Sequence, residues 1–264
     1  HSEARFLKTT NIMNDQTIAT RLIILFATGL LFGADPSVVS AQSVISAVQS
    51  GDVKKVERVL KAKKSDINER DSEGLTPLLH AIINKDSAMI DFLVQRKADV
   101  NAVGPNGMTP LHAAAFHSSE AAISLLLSAG ANVQARDEKQ RTALHVASQQ
   151  GVTTPVTLIL DAGADKEAKD EKGNTPLMIS CGYRHLNCMM ELLTHGADPN
   201  SRDPQGRTPL MLLAVLGEDE MIRLLLKYKP DVQARDLSGK SAMDYAREYK
   251  RRLVIDVLER AGAQ

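Results

Sequence analysis

TPLHAAAFHSSEAAISLLLSAG, residues 109–130, sets a small capped segment against a leucine-rich one and closes on glycine. Thirty-three residues later the chain repeats itself as TALHVASQQGVTTPVTLILDAG, residues 142–163. The same interval separates Thr76, Thr109, Thr142, Thr175, Thr208 and Ser241, and five of the six are followed two residues later by leucine, the sixth by Met243. Two residues before them stand Gly74, Gly107, Gln140, Gly173, Gly206 and Gly239, and three earlier again Asp71, Gly104, Asp137, Asp170, Asp203 and Asp236. A fixed period of this length marks a stack of supersecondary units.

Each column has a physical reading. Asp-x-x-Gly is a turn, the carboxylate bonding nearby main chain and Gly taking positive φ. Thr or Ser then caps a helix whose first position tolerates Pro. Twenty-one residues after the cap, Gly130, Gly163, Gly196 and Gly262 end a second helix in the left-handed conformation, and Lys97 and Lys229 stand in that slot in the other two repeats. The first helix is Ala-rich (His112 to Ala115), letting neighbours approach closely. The second is Leu-rich (Ile123 to Leu127) and fills the groove between layers.

The pattern resembles the ankyrin repeat, whose T-P-L-H-x-A motif stands here as TPLHAA at 109–114 and TALHVA at 142–147. The resemblance implies an all-α solenoid of about seven stacked helix-turn-helix units with β-turn or hairpin tips. It spans residues 42–264, about 85% of the chain, as a single domain. Repeats begin at positions 71, 104, 137, 170, 203 and 236. Residues 42–70 read as a degenerate leading unit, with Ser43 33 residues before Thr76 and Asp66-Ile67-Asn68 echoing Asp99-Val100-Asn101. Lys250-Arg251-Arg252 and Glu259-Arg260 give the last unit the polar end a solenoid needs.

Residues 1–41 read differently. After Met13 come Arg21, a twelve-residue apolar core from Leu22 to Gly33, and small residues at Val39 and Ala41. That is the order of a secretory signal, with cleavage expected after Ala41; twelve residues are too few to span a bilayer. Residues 1–12 precede the signal without a reading of their own. The mature chain is therefore expected outside the cytoplasm, in the periplasm. Lys plus Arg and Asp plus Glu are equal at 32 each, which argues against a nucleic-acid binder.

Little here points to chemistry. There is no phosphate loop, nucleophile elbow or metal-ligand His pair on one helix, so neither an enzyme nor a metal or other cofactor is expected. His112 and His145 hold the family's TPLH position, where the imidazole bonds main chain between repeats. Cys181 and Cys188, the only two cysteines, lie on the two helices of one repeat. They are either reduced core thiols or, in an oxidising compartment, a structural disulfide.

In ankyrin proteins the turn tips and the exposed ends of the first helices line a concave face that binds another protein. Mapping those positions gives Leu75, Met108, Phe116, His117, Tyr183, Val215, Leu216 and Tyr249, with Arg141, Arg184 and Arg207 beside them. The chain holds only five Phe, four Tyr and no Trp, three of the five Phe fall in the leader, and three of the six remaining aromatics map to this face. Aromatic, Met and Arg enrichment is the composition of a binding core. The resemblance to periplasmic ankyrin proteins implies a monomeric inhibitor, giving self-protection (immunity) against the cell's own peptidoglycan hydrolase or endopeptidase. The alternatives are support of a catalase and a secreted effector acting on a host.

Overall fold

The computed structural model describes residues 43–61 and 65–263. The expected leader, Met13–Ala41, and its cleavage point lie outside the described residues. Among the described residues fourteen α-helices stack as seven antiparallel pairs: α1 (Val44–Gln49) with α2 (Val53–Leu60), α3 (Pro77–Ile83) with α4 (Ser87–Gln95), α5 (Pro110–Phe116) with α6 (Glu120–Ser128), and α7 (Ala143–Gln150) with α8 (Thr153–Asp161). The stack continues with α9 (Pro176–Gly182) and α10 (Leu186–Thr194), α11 (Pro209–Leu216) and α12 (Asp219–Leu226), and α13 (Ala242–Glu248) and α14 (Arg252–Arg260). One 3-10 turn, Pro105–Gly107, interrupts the series, and the described residues hold no strand. The leading pair is followed by repeats one to six.

The recurring Thr starts each first helix as expected: Thr76, Thr175 and Thr208 accept from the N–H three residues on, with Pro behind each at the first position. In repeats two and three the histidine closes the cap. His112 Nδ1 lies 2.8 Å from Thr109 Oγ1 and His145 Nδ1 2.9 Å from Thr142 Oγ1. Their Nε2 atoms meet the Arg141 and Asn174 carbonyls of the next repeat at 2.9 and 3.1 Å. Ala81, Ala114 and Ala147 are fully buried or nearly so, so first helices lie close together. All eight residues of α11 are buried, as befits a helix apolar all round. Second helices bury one stripe, such as Met221, Ile222 and Leu225.

On the turn side the repeats are joined by polar side chains. In five turns the Asp Oδ1 accepts from the N–H groups two and four residues on, at 2.8–3.0 Å. A second ladder runs through Asn68, Asn101, Gln134, Glu167 and Asn200, whose side-chain oxygens accept from the N–H 31 residues on at 2.7–3.1 Å. Asn101, Gln134 and Gln233 also donate to the carbonyls of Gly130, Gly163 and Gly262, where second helices end. Arg70, Arg136 and Arg202 each bridge their own turn to the next repeat's main chain.

Lys97 and Lys229 do take positive φ, 64° and 54°. So do Lys85, Ser118, Arg184 and Lys250, each at the bend between the two helices of its repeat. Cys181 and Cys188 are free buried thiols in this structure. The Cys181 thiol faces Met189 Sδ at 3.7 Å, and burial pushes it up to about 12 and Cys188 up to about 11. Both stay protonated, unreactive core groups.

Candidate protein-binding face

The face is built one repeat at a time from a turn tip and the C-terminal end of a first helix. Tips join neighbours directly: Glu138, Glu171 and Leu237 donate their N–H to the carbonyls of Asn106, Lys139 and Gln205, all at 2.9 Å. Pro105 and Pro204 hold the corresponding place in repeats two and five and have no N–H to give.

At the helix ends, Phe116 and Tyr183 lie half-buried, each packing one side against the core and leaving the other open. The Phe116 ring meets His117 edge-on, centroids 5.2 Å apart. Burial, aided by the Lys85 ammonium, holds the His117 imidazole below the usual histidine range, so it is neutral at pH 7. Tyr183 is held more firmly. Gln149 Nε2 donates to its hydroxyl at 2.9 Å, and the His185 ring lies nearly parallel to it at 6.1 Å. His185 Nε2 in turn donates to the Gln149 carbonyl at 3.0 Å. That approach requires Gly151, because a Cβ there would sit 2.5 Å from the His185 ring. Leu75, Met108 and Tyr249 are likewise half-buried and packed against the core on one side.

The arginines divide. Arg184 is exposed and its Nε donates to Glu218 Oε1 of the next repeat at 2.6 Å. Arg141 is half-buried and clamps its own turn, Nε to Asp137 Oδ2 at 2.8 Å, while reaching toward Gln149. Arg207 makes the same clamp on Asp203 at 2.6 Å but is only 5% exposed, so it is part of the turn and not of the open face.

Val215 and Leu216, expected on the open face, are core residues instead, 0% and 4% exposed in a helix buried on all sides. Arg251 of repeat six lies across the end of α11. Its Nε donates to the Val215 carbonyl at 2.9 Å, and its side chain lies against Gly217, where a Cβ would come within 2.9 Å of Cδ. Open apolar area in this half comes instead from Leu237, 82% exposed at the last tip. Gln149, His185 and Leu237 complete the face. Gln149 and Leu237 stand at concave positions readable from the repeat register, whereas nothing in the sequence pointed to His185.

Among the described residues no group of three or more His, Cys, Asp or Glu side chains could hold a metal ion. A groove of about 410 Å³ between the ends of α4 and α6 is lined by Val94, Gln95, Lys97, Asp99, Leu125 and Ser128, with no nucleophile beside a base. Among the described residues no helix is long and apolar enough to cross a membrane.

The family model for ankyrin repeats matches residues 44–137, 125–203, 144–236 and 192–263. Among solved structures, the chain is similar to the crystal structure of the ankyrin repeat domain of Bcl-3, described as a unique member of the IkappaB protein family. The two are 28% identical with a TM-score of 0.76, over 82% of this chain and 97% of that one. Among curated proteins none matches.

Proposed function

This chain belongs to the ankyrin-repeat family, and from that premise we propose that it is an exported, non-catalytic inhibitor of a cell-wall hydrolase. The coarser part follows from the family: ankyrin repeats are protein-binding modules, typically non-enzymatic. The finer part is supported by the signal-like leader and by the make-up of the face. The observation that carries it is Tyr183, a half-exposed aromatic whose hydroxyl is pinned by Gln149 and whose ring is flanked by His185. A ring fixed before binding loses little freedom on contact, which is the condition for a tight anchor. Phe116, two repeats away, supplies a second.

The test is inhibition. The purified chain is added to a periplasmic extract, and digestion of isolated peptidoglycan is followed. Digestion should fall as the chain is titrated in, and Tyr183→Ala should need roughly thirtyfold more protein, the equivalent of a ~2 kcal/mol anchor. Phe116→Ala should weaken inhibition similarly and, since Phe116 also packs on the core, lower folding stability by about 1–2 kcal/mol. Undiminished digestion at saturating chain, with a catalase retained on the immobilised protein, would replace this reading by the catalase-accessory one.

A further inference from the structure

The turn of repeat two departs from the other five and leaves a reactive dipeptide open. At position 104, a Gly, a Cβ would lie 2.6 Å from Leu79 Cδ1. The turn therefore has no carboxylate to tie it. Elsewhere the N–H of Gly74, Gln140, Gly173, Gly206 or Gly239 donates to the Asp carbonyl three residues back, at 2.9–3.0 Å. Gly107, in the same place, makes no such bond; the turn closes through Met108 N–H donating to the Pro105 carbonyl at 3.1 Å. Before it stands Asn106, exposed, at φ 56° and ψ 27°, its side-chain amide without a hydrogen-bond partner among the described residues. This is the one Asn-Gly pair in the sequence.

We propose that Asn106–Gly107 is a site of spontaneous deamidation. The Gly107 nitrogen, losing its proton to solvent base, attacks Asn106 Cγ. The new C–N bond forms as the Cγ–Nδ2 bond breaks and ammonia leaves, giving a five-membered imide. Water then opens the ring. Cleavage at Cγ restores the normal main chain with an aspartate, and cleavage at the main-chain carbonyl leaves an isoaspartyl linkage. A glycine nucleophile has no Cβ to crowd the attack. Bringing nitrogen to Cγ requires rotation about ψ, and no hydrogen bond from the Gly107 N–H opposes it. The Met108–Pro105 bond and the Glu138 N–H on the Asn106 carbonyl are the two restraints that must yield.

Either product places a negative charge on the uncharged turn VGPNGM, residues 103–108. The isoaspartyl product also shifts the carbonyl that holds Glu138, loosening the tip beside Met108. If the face binds as proposed above, the site ages that interface; the chemistry itself does not depend on that reading.

Peptide mass mapping of the folded full chain, held in mildly alkaline buffer, tests the site. Conversion adds about 1 Da, an NH2 replaced by OH. It should appear at Asn106 at least ~tenfold faster than at the exposed Asn101 and Asn132, whose side chains are tied in hydrogen bonds and whose following residues carry a Cβ. Asn106→Gln should abolish the early conversion. Equal rates at Asn101 or Asn132 overturn the proposal. So does an unchanged Asn106 in the folded chain over a period in which the urea-unfolded chain converts fully.

Discussion

His145 is 1% exposed, wedged between the Thr142 cap and the Asn174 carbonyl. Burial, partly offset by Asp170, lowers its imidazole from 6.5 to about 4. The unfolded chain therefore takes a proton on this ring before the folded chain does. Stability is full above pH 6.5 and is lost as pH falls toward 4, by about 2 kcal/mol at pH 5. His112, lowered by burial in the same place one repeat earlier, acts in the same sense. His195, raised chiefly through its bond to the Glu191 carbonyl, opposes them from a more exposed position. Urea unfolding at pH 7.5 and pH 5 checks this, and in His145→Gln the difference between the two should shrink. A difference as large in the variant assigns the loss to other groups. The inter-repeat role of this histidine was legible from its motif. The burial of Val215 and Leu216 was not, because their positions were read as an exposed helix end, whereas this first helix is apolar all round and buried along its whole length.

At the scale of a helix end, six non-glycine residues among the described ones take positive φ: Lys85, Lys97, Ser118, Arg184, Lys229 and Lys250. Four second helices close on Gly, whereas α4 and α12 close on Lys97 and Lys229. A side chain in the left-handed region costs up to about 1 kcal/mol relative to Gly. Lys97→Gly and Lys229→Gly should each raise stability by about 0.5–1 kcal/mol, read as an upward shift in urea midpoint with unchanged slope. Gly151→Ala is the contrast. It meets the same torsional penalty and drives a Cβ into the His185 ring, so it should lose more, about 1–3 kcal/mol. A loss in both lysine variants would mean that the lysine stems contribute packing that outweighs the torsion. The second-helix ends were readable because glycine dominates their column. The bend was not: Lys85, Ser118, Arg184 and Lys250 fill it in four repeats, leaving Gly151 and Gly217, with Gly51 in the leading pair, as hints.

At the scale of the whole stack, the seams between repeats are unequal on the turn side. Between the turns at 134–141 and 167–174 the Glu171–Lys139 tip bond is present, Gln134 both accepts from Asp165 and donates to Gly163, and Arg136 bonds two carbonyls, Gln140 in its own turn and Lys169 in the next. Between the turns at 167–174 and 200–207 these devices are reduced. Pro204 has no N–H for the tip bond, Glu167 accepts from Asp198 but as a carboxylate cannot donate to Gly196, and Lys169 bonds a single carbonyl, that of Arg202. The helix side of the same seam is closed, by Arg184 on Glu218 at 2.6 Å and by Thr194 with Tyr228 at 3.2 Å. The stack should therefore open at this seam from the turn side, hinging on the helices, and change its curvature between Tyr183 and Tyr249. A lost hydrogen bond of about 1 kcal/mol or slightly more corresponds to roughly tenfold in opening. Amide exchange should accordingly be about tenfold faster at Asp198 than at Asp165, its counterpart one seam earlier, in the same intact chain. Burial holds the Glu167 carboxyl above its usual range, the sign of a charge placed where a neutral amide fits better. Glu167→Gln should slow exchange at Asp198 and raise overall stability, because the amide keeps the acceptor and adds the donor that Gly196 lacks. Equal protection at the two amides, or a Gln variant that leaves Asp198 unchanged, would show that the helix contacts alone hold the seam and that the stack flexes uniformly.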